Sequence, residues 1–318
     1  MIRVWCAGRS ACDQLVDPAT WTLPPDAIWI DLVAPTVEEE TAVEKALGLS
    51  VPTREEMAEL EASSRVYREN GATYATADII IHGDEEIPGV EPVTFVVTDG
   101  PLVTIRYTDP RPFRLMIEKL EREPGRCATG PDLFLNLMET IIDRLSDILS
   151  GTVLRVETIA GHVFSGGKTV GFGKLITKLG RAQMTNARIE QSLAGLARIF
   201  AFVGIDERMD SEEARAHLRS LARDADSLSA HNQSVAASIN FQLSAALGLI
   251  NIEQSSIIKI FSVAAVAFLP PTLIASIYGM NFDHMPELSQ PWGYPLAVVA
   301  MVVSAILPLA WFRKQGWL

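Results

Sequence analysis

The sequence predicts an α+β domain followed by long stalk helices and a two-helix transmembrane hairpin. Three observations predict it. Short apolar runs punctuated by turn signals fill the chain up to Pro110, helical periodicity without strands follows, and two uncharged apolar stretches, 260–280 and 294–312, close it. The 318 residues suffice for two ordinary domains or for one domain with a membrane module. Hydrophobic residues make up 48%, only slightly high for a soluble protein, so the average hides a local concentration.

In the first part, residues 2–6 and 28–32 have the composition of strands. Residues 66–67 and 74–81 flank Asn70-Gly71, the usual chemistry of a tight hairpin, and 95–97 and 103–107 flank Asp99-Gly100 in the same way. Between these strands, 37–47 and 54–63 have helical spacing and acidic faces. An α/β domain with a substantially antiparallel sheet is expected over 1–125.

Residues 131–163 and 172–202 read as two long amphipathic helices, making a helical hairpin over 126–205. Its joint contains Gly166-Gly167-Lys168-Thr169, an echo of a phosphate-binding loop. Gly161 is one residue too far away, and the preceding segment is helical where a strand is required, so no nucleotide site is expected.

From Asp206 the pattern stays helical, giving a stalk helix over 206–256. A seven-residue repeat runs through Leu218, Ala225, Asn232, Ile239 and Ala246, with Leu221, Leu228, Val235, Gln242 and Leu249 as partner positions. Such a seam implies helix–helix association. It fits packing against the two preceding helices of the same chain, or a bundle of identical helices around an axis.

The apolar stretches are each long enough to cross the ~30 Å hydrocarbon core of a bilayer. Expected boundaries are 257–281 for the first membrane helix, 282–293 for an outer loop, 294–312 for the second helix and 313–318 for a basic tail. Lys259 precedes the first span and Arg313-Lys314 follow the second, whereas the loop carries Asp283 and Glu287 and no Lys or Arg. The positive-inside rule puts both termini in the cytoplasm. Trp292, Tyr294 and Trp311 lie where interfacial aromatics belong. The N-terminus lacks the basic and apolar regions of a signal peptide.

At 100° per residue, Ser255, Ile258, Ser262, Ala265, Leu269, Thr272 and Ser276 fall on one stripe of the first span. Hydroxyls there can bond back to the helix or glue helices together. They can equally line a water-filled pore, with Leu269 and Ile258 as apolar constrictions. Pro270-Pro271 removes two backbone donors, so nearby carbonyls need other partners. Two helices cannot enclose a pore, so a lining role requires several copies around an axis.

The formal net charge of −12 argues against a nucleic-acid partner and suits cations. Cys6, Cys12 and Cys127 have no paired spacing and read as reduced thiols; His82, His162, His217, His231 and His284 form no ligand-spaced pair. No nucleophile–base pair or metal triad emerges, so an enzyme is not expected.

Tyr278-Gly279-Met280-Asn281 closes the first span and is followed by Met285-Pro286-Glu287-Leu288. Upstream stand Asn251-Ile252-Glu253-Gln254, the run 257–263 and Phe268-Leu269-Pro270-Pro271-Thr272-Leu273. With weaker similarity in 27–32 and 59–65, these segments resemble the CorA family of magnesium and cobalt transporters, its bacterial magnesium branch in particular. Zinc-transporting relatives usually replace the methionine of the triplet and lack Met-Pro-Glu-Leu.

The resemblance implies a homopentamer in the cell inner membrane, in contact with lipid, with a cytoplasmic funnel and a stalk continuous with the pore helix. It implies passage of Mg²⁺, with Co²⁺ and Ni²⁺ as surrogates and no resident cofactor, through a filter of Gly279, Met280 and Asn281. It further implies that intracellular Mg²⁺ bridges acids of neighbouring subunits and shuts the pore. Glu59 matches one such acid; Asp224, with Asp226 second, is the candidate stalk partner, and Ala58 stands where a second acid is expected. Solvated helix faces would place the same acids there. Rival functions are a zinc or general divalent transporter and a nonconducting, membrane-anchored cation sensor.

Overall fold

A computed structural model describes residues 1–9, 12–14, 18, 20–59, 61–164, 171–281 and 285–316, with the backbone alone at 13, 14, 62 and 63. It comprises two compact units, Met1–Leu243 and Ser244–Leu318. The phosphate-loop echo at Gly166–Thr169 lies outside the described residues.

Among its described residues the first unit holds seven strands: β1 (Ile2–Cys6), β2 (Asp13–Gln14), β3 (Ala27–Val33), β4 (Val66–Glu69), β5 (Ala72–Ile81), β6 (Gly89–Val97) and β7 (Leu102–Arg106). Their spatial order is β2-β1-β3-β7-β6-β5-β4. Asn70 (φ 48) and Gly71 (φ 74) both take positive φ, the conformation that a tight turn between right-twisted strands demands. The β6–β7 turn works differently. The Thr98 hydroxyl accepts from Gly100 N (3.0 Å) and donates to Pro101 O (2.8 Å), so Asp99-Gly100 needs no left-handed residue.

The sheet is mixed, not wholly antiparallel. Three successive hairpins return the chain from the β4 edge, and β7 arrives beside β3 running the same way. Nor is 54–63 one helix. Thr53 and Glu56 form a capping box for α2 (Arg54–Met57), and a second short helix, α3 (Ala62–Arg65), follows. Arg65 separates them: its guanidinium donates to Glu59 O (2.7 Å) and pairs with buried Asp78 (3.0 Å).

Helix α1 (Val37–Leu47) carries a capping box of Thr36 with Glu39 and stops at left-handed Gly48 (φ 67). Val43 of α1 and Met57 of α2 join one face of the sheet in a core with Ile30, Leu32, Tyr74, Val96 and Ile105. The opposite face packs Trp29 and Phe95 against Phe113 of α4 (Arg111–Arg122), and Phe95 against Phe134 of α5 (Gly130–Phe164). On this face Asp31 and Arg106 are wholly buried. The carboxylate accepts from Arg106 Nη2 (2.8 Å), Arg106 Nε (3.0 Å) and Thr104 Oγ1 (2.8 Å), while Arg106 also reaches Asp109 (2.9 Å) and Thr108 O (2.6 Å).

Helix α6 (Phe172–Val203) lies on β5, where Gly195 leaves room for Ala77. Helix α7 (Glu212–Tyr278) runs 67 residues. Its predicted seam is buried at Leu218, Leu221, Ala225, Asn232, Val235, Ile239, Gln242 and Ala246. Within the first unit that seam meets the chain's own helices. Asn232 Nδ2 donates to Asn186 O (3.2 Å) and Glu190 (2.9 Å) of α6; beside the seam, exposed Phe241 stacks on Phe164 of α5. Packing within the chain thus covers part of the repeat, while Leu228 and Leu249 stay half-buried.

Removing one partner of a fully buried ion pair leaves the other uncompensated, at about 3–5 kcal/mol. Asp31→Asn should therefore lower the melting temperature of the detergent-purified protein markedly. An unchanged melting curve would show that Arg106 is compensated by Asp109 alone.

Candidate functional site

The second unit contains the end of α7 and helix α8 (Gly293–Lys314), both long and apolar enough to cross a membrane. On α7, Val263 and Ala267 are buried. The stripe of Ser255, Ile258, Ser262, Ala265, Leu269, Thr272 and Ser276 lies about 150° round the helix from them at 100° per residue. All seven are exposed except Ser262, which is half-buried. The stripe thus faces away from the side that the rest of the chain covers. Thr272 bonds back to Phe268 O (2.7 Å), as hydroxyls in membrane helices often do.

The helix continues through Pro270 and Pro271. Gly279 N makes a last helical bond to Ala275 O (2.9 Å), and Met280 N turns back to Ile277 O (3.3 Å). Asn281 follows with its side chain exposed, so the amide stands just beyond the helix end. Asp283 lies outside the described residues. Glu287 is exposed on a 3-10 turn, Pro286–Ser289, which folds onto the first turn of α8. Gly293 permits that approach: a Cβ there would collide with the Glu287 carbonyl. Glu287 is thereby held near the end of α7, where Glu287, Gly279, Tyr278 and Tyr294 line one cavity of about 360 Å³.

The other candidate acids sit in the first unit. Glu59, Asp224 and Asp226 are all exposed. Among the described residues, no three acids, histidines or cysteines of one chain converge to hold a metal. Sequence reasoning missed Asp143 of α5. Its carboxyl is pushed above the usual range first by desolvation, then by Glu139, and further by Asp147 and Asp224, with Lys119 opposing. The destabilisation from its ionised form is absent below the ordinary carboxylate pKa. It builds as pH rises through the raised value, and a nearby cation would relieve it. Glu139, Asp143 and Asp147 recur every four residues, a spacing that was visible in the sequence.

A folded head, a 67-residue helix and two helices apolar enough to cross a membrane, the first followed by Gly-Met-Asn, are the features of a protein with candidate membrane helices. Residues 25–314 match the CorA family, described as "CorA-like Mg2+ transporter protein". The "Magnesium transport protein CorA" of Pasteurella multocida is 34% identical over 292 residues, 92% of each chain. That of Escherichia coli K12 is 33% identical over 293 residues, again 92% of each. The CorA magnesium transporter structure from Methanocaldococcus jannaschii superposes with a TM-score of 0.81 at 21% identity, covering 100% of this chain and 99% of that one. The chain belongs to the CorA family.

Gly293→Ala should displace the 3-10 turn and with it Glu287. The outer Mg²⁺ concentration giving half-maximal uptake should rise about tenfold, the low end of what charge focusing contributes, with maximal uptake retained. An unchanged half-saturation would remove this turn from ion capture.

Proposed function

We propose that this chain is one subunit of a Mg²⁺ channel that admits the ion into the cytoplasm down the membrane potential. The observation that carries this is the exposed stripe of α7, which faces away from the packed side and leads to Asn281. Family membership supports it. One chain cannot surround a pore, so copies assemble with their stripes facing an axis; the family's pentamer is the natural number.

Mg²⁺ demands octahedral oxygen ligands and sheds water reluctantly. A ring of Asn281 amide oxygens accepts hydrogen bonds from the hydrated ion without the tight hold of a carboxylate ring, so the ion can also leave. Gly279 and Met280 place that ring, and Co²⁺ and Ni²⁺, of similar charge and size, would pass as surrogates. Glu287 and Asp283 raise the local cation concentration outside. Two charges moving inward gain about 4.6 kcal/mol per 100 mV, so no nucleotide is needed. Ile258 and Leu269 narrow the pore with apolar rings that shed water when closed.

Internal Mg²⁺ closes the channel by bridging Glu59 of one subunit to Asp224 of the next, with Asp226 alongside. Asp143, whose carboxyl already feels Asp224, adds negative charge to that face. Like charges brought together repel unless a cation intervenes. Several weak sites of this kind can hold one equilibrium closed, each by its differential affinity for the two states.

Asn281→Ala should abolish Mg²⁺ uptake into voltage-clamped proteoliposomes while the oligomer still assembles; normal conduction would exclude Asn281 from the filter. The same assay with Zn²⁺ discriminates a zinc transporter, and absence of any flux in the wild type would indicate a sensor. Glu59→Gln with Asp224→Asn should weaken inhibition by internal Mg²⁺ and leave ion preference unchanged. An unaltered inhibition curve would move the feedback to other acids, Asp226 first.

A further inference from the structure

The connection from α6 to α7 is short and tied to the sheet at every turn. Asp206 is buried, its side chain 2% exposed, and it carries a charge there. Thr73 Oγ1 of β5 donates to it (2.5 Å), as do Arg208 N (3.0 Å) and Arg208 Nη1 (3.1 Å). Desolvation works against that carboxylate, yet the Thr73 and Arg208 hydrogen bonds hold it below the usual range. Arg208 spends its other donors on the two turns found above. Its Nε donates to Asp99 in the β6–β7 turn (2.7 Å) and its Nη2 to Gly71 O in the β4–β5 turn. Arg68 of β4 secures the same segment through Ile205 O (3.0 Å). Just beyond, Ser211 caps the first turn of α7 through Ala214 N (3.1 Å).

One guanidinium thus fastens two hairpin turns and the buried acid to the start of the helix that continues to the filter. A planar fork can serve three differently placed acceptors at once; a lysine ammonium on a flexible stem cannot hold them in fixed directions. We propose that Arg208 is a positioning residue for gating: it transmits the state of the sheet domain to α7, and without it the pore needs more internal Mg²⁺ to close. The proposal rests on the feedback reading given above and adds the part that carries the signal. The acids sense the ion, and Arg208 makes the domain that bears Glu59 and the helix that bears Asp224 move as one.

The test uses full-length protein in proteoliposomes, with uptake recorded over a range of internal Mg²⁺. Arg208→Gln should shift the inhibition midpoint at least about fivefold upward, the lower bound of ordinary allosteric couplings. Maximal uptake at low internal Mg²⁺ and the preference for Mg²⁺ over Zn²⁺ should match wild type, and Arg208→Lys should restore only part of the shift. Asp99→Asn, which removes a single exposed anchor, gives a smaller shift in the same direction and serves if Arg208→Gln fails to assemble. Arg181→Gln removes an ion pair to Glu86 elsewhere in the same unit and should leave the curve in place. A wild-type channel indifferent to internal Mg²⁺ would end the feedback reading itself. Inhibition that responds to Glu59→Gln with Asp224→Asn, but not to Arg208→Gln or Asp99→Asn, would overturn the role of Arg208 alone. So would an equal shift in Arg181→Gln, which would reveal general loosening.

Discussion

The structure depends on α7 remaining one unbroken helix through two solvents. Its backbone groups must be satisfied internally wherever lipid replaces water, and only a helix or a closed barrel manages that. The side chains change chemistry along the same rod. Up to Leu243 the buried seam is a knobs-and-polar mixture set against α5 and α6; beyond it the covered side shrinks to small residues such as Ala267, and the opposite stripe carries hydroxyls and isolated large apolar groups. A protein-facing seam and a stripe of different character can coexist because they occupy different sides of the helix.

Buried charge in the head follows a matching economy of position. Asp31 and Arg106 sit between β3 and β7, and Asp206 sits where α6 gives way to α7. Each acid has a guanidinium and a threonine hydroxyl, so neither carboxylate is left without donors. The exposed acids of α5 and α7 are treated in the opposite manner. Desolvation first, then Glu139, with Asp147 and Asp224 behind it, raise the carboxyl of Asp143 against Lys119. The first arrangement pairs its charge within the fold, whereas the second leaves negative charge at the surface.

The sequence disclosed most where local chemistry decides structure. Asn70-Gly71, the Thr36–Glu39 box, the strandless stretch after Pro110 and the two apolar spans all could be read directly, and so could the stripe ending at Asn281. It disclosed least where distant residues choose each other. The break after Met57 depends on Arg65 finding Asp78, and the parallel edge between β3 and β7 joins segments separated by the whole of α1–α3 and three hairpins. Arg208 has no local signature at all, because its acceptors at Gly71 and Asp99 lie more than a hundred residues upstream. The heptad pattern of α7 was visible, but a repeat records only that a face is covered, never by whom.

The late insertion of β7 has a consequence for biosynthesis. Strand β3 is made early, yet one of its two neighbours is missing until residue 106 has been added. A ribosome-bound nascent chain therefore exposes a half-finished sheet, with Asp31 awaiting its counter-ion, for some seventy residues of elongation. Long-range pairing of this kind is slow and vulnerable to aggregation. Relief nevertheless arrives more than a hundred residues before the first apolar span is synthesised, so the head can close its sheet before targeting machinery engages the hydrophobic hairpin.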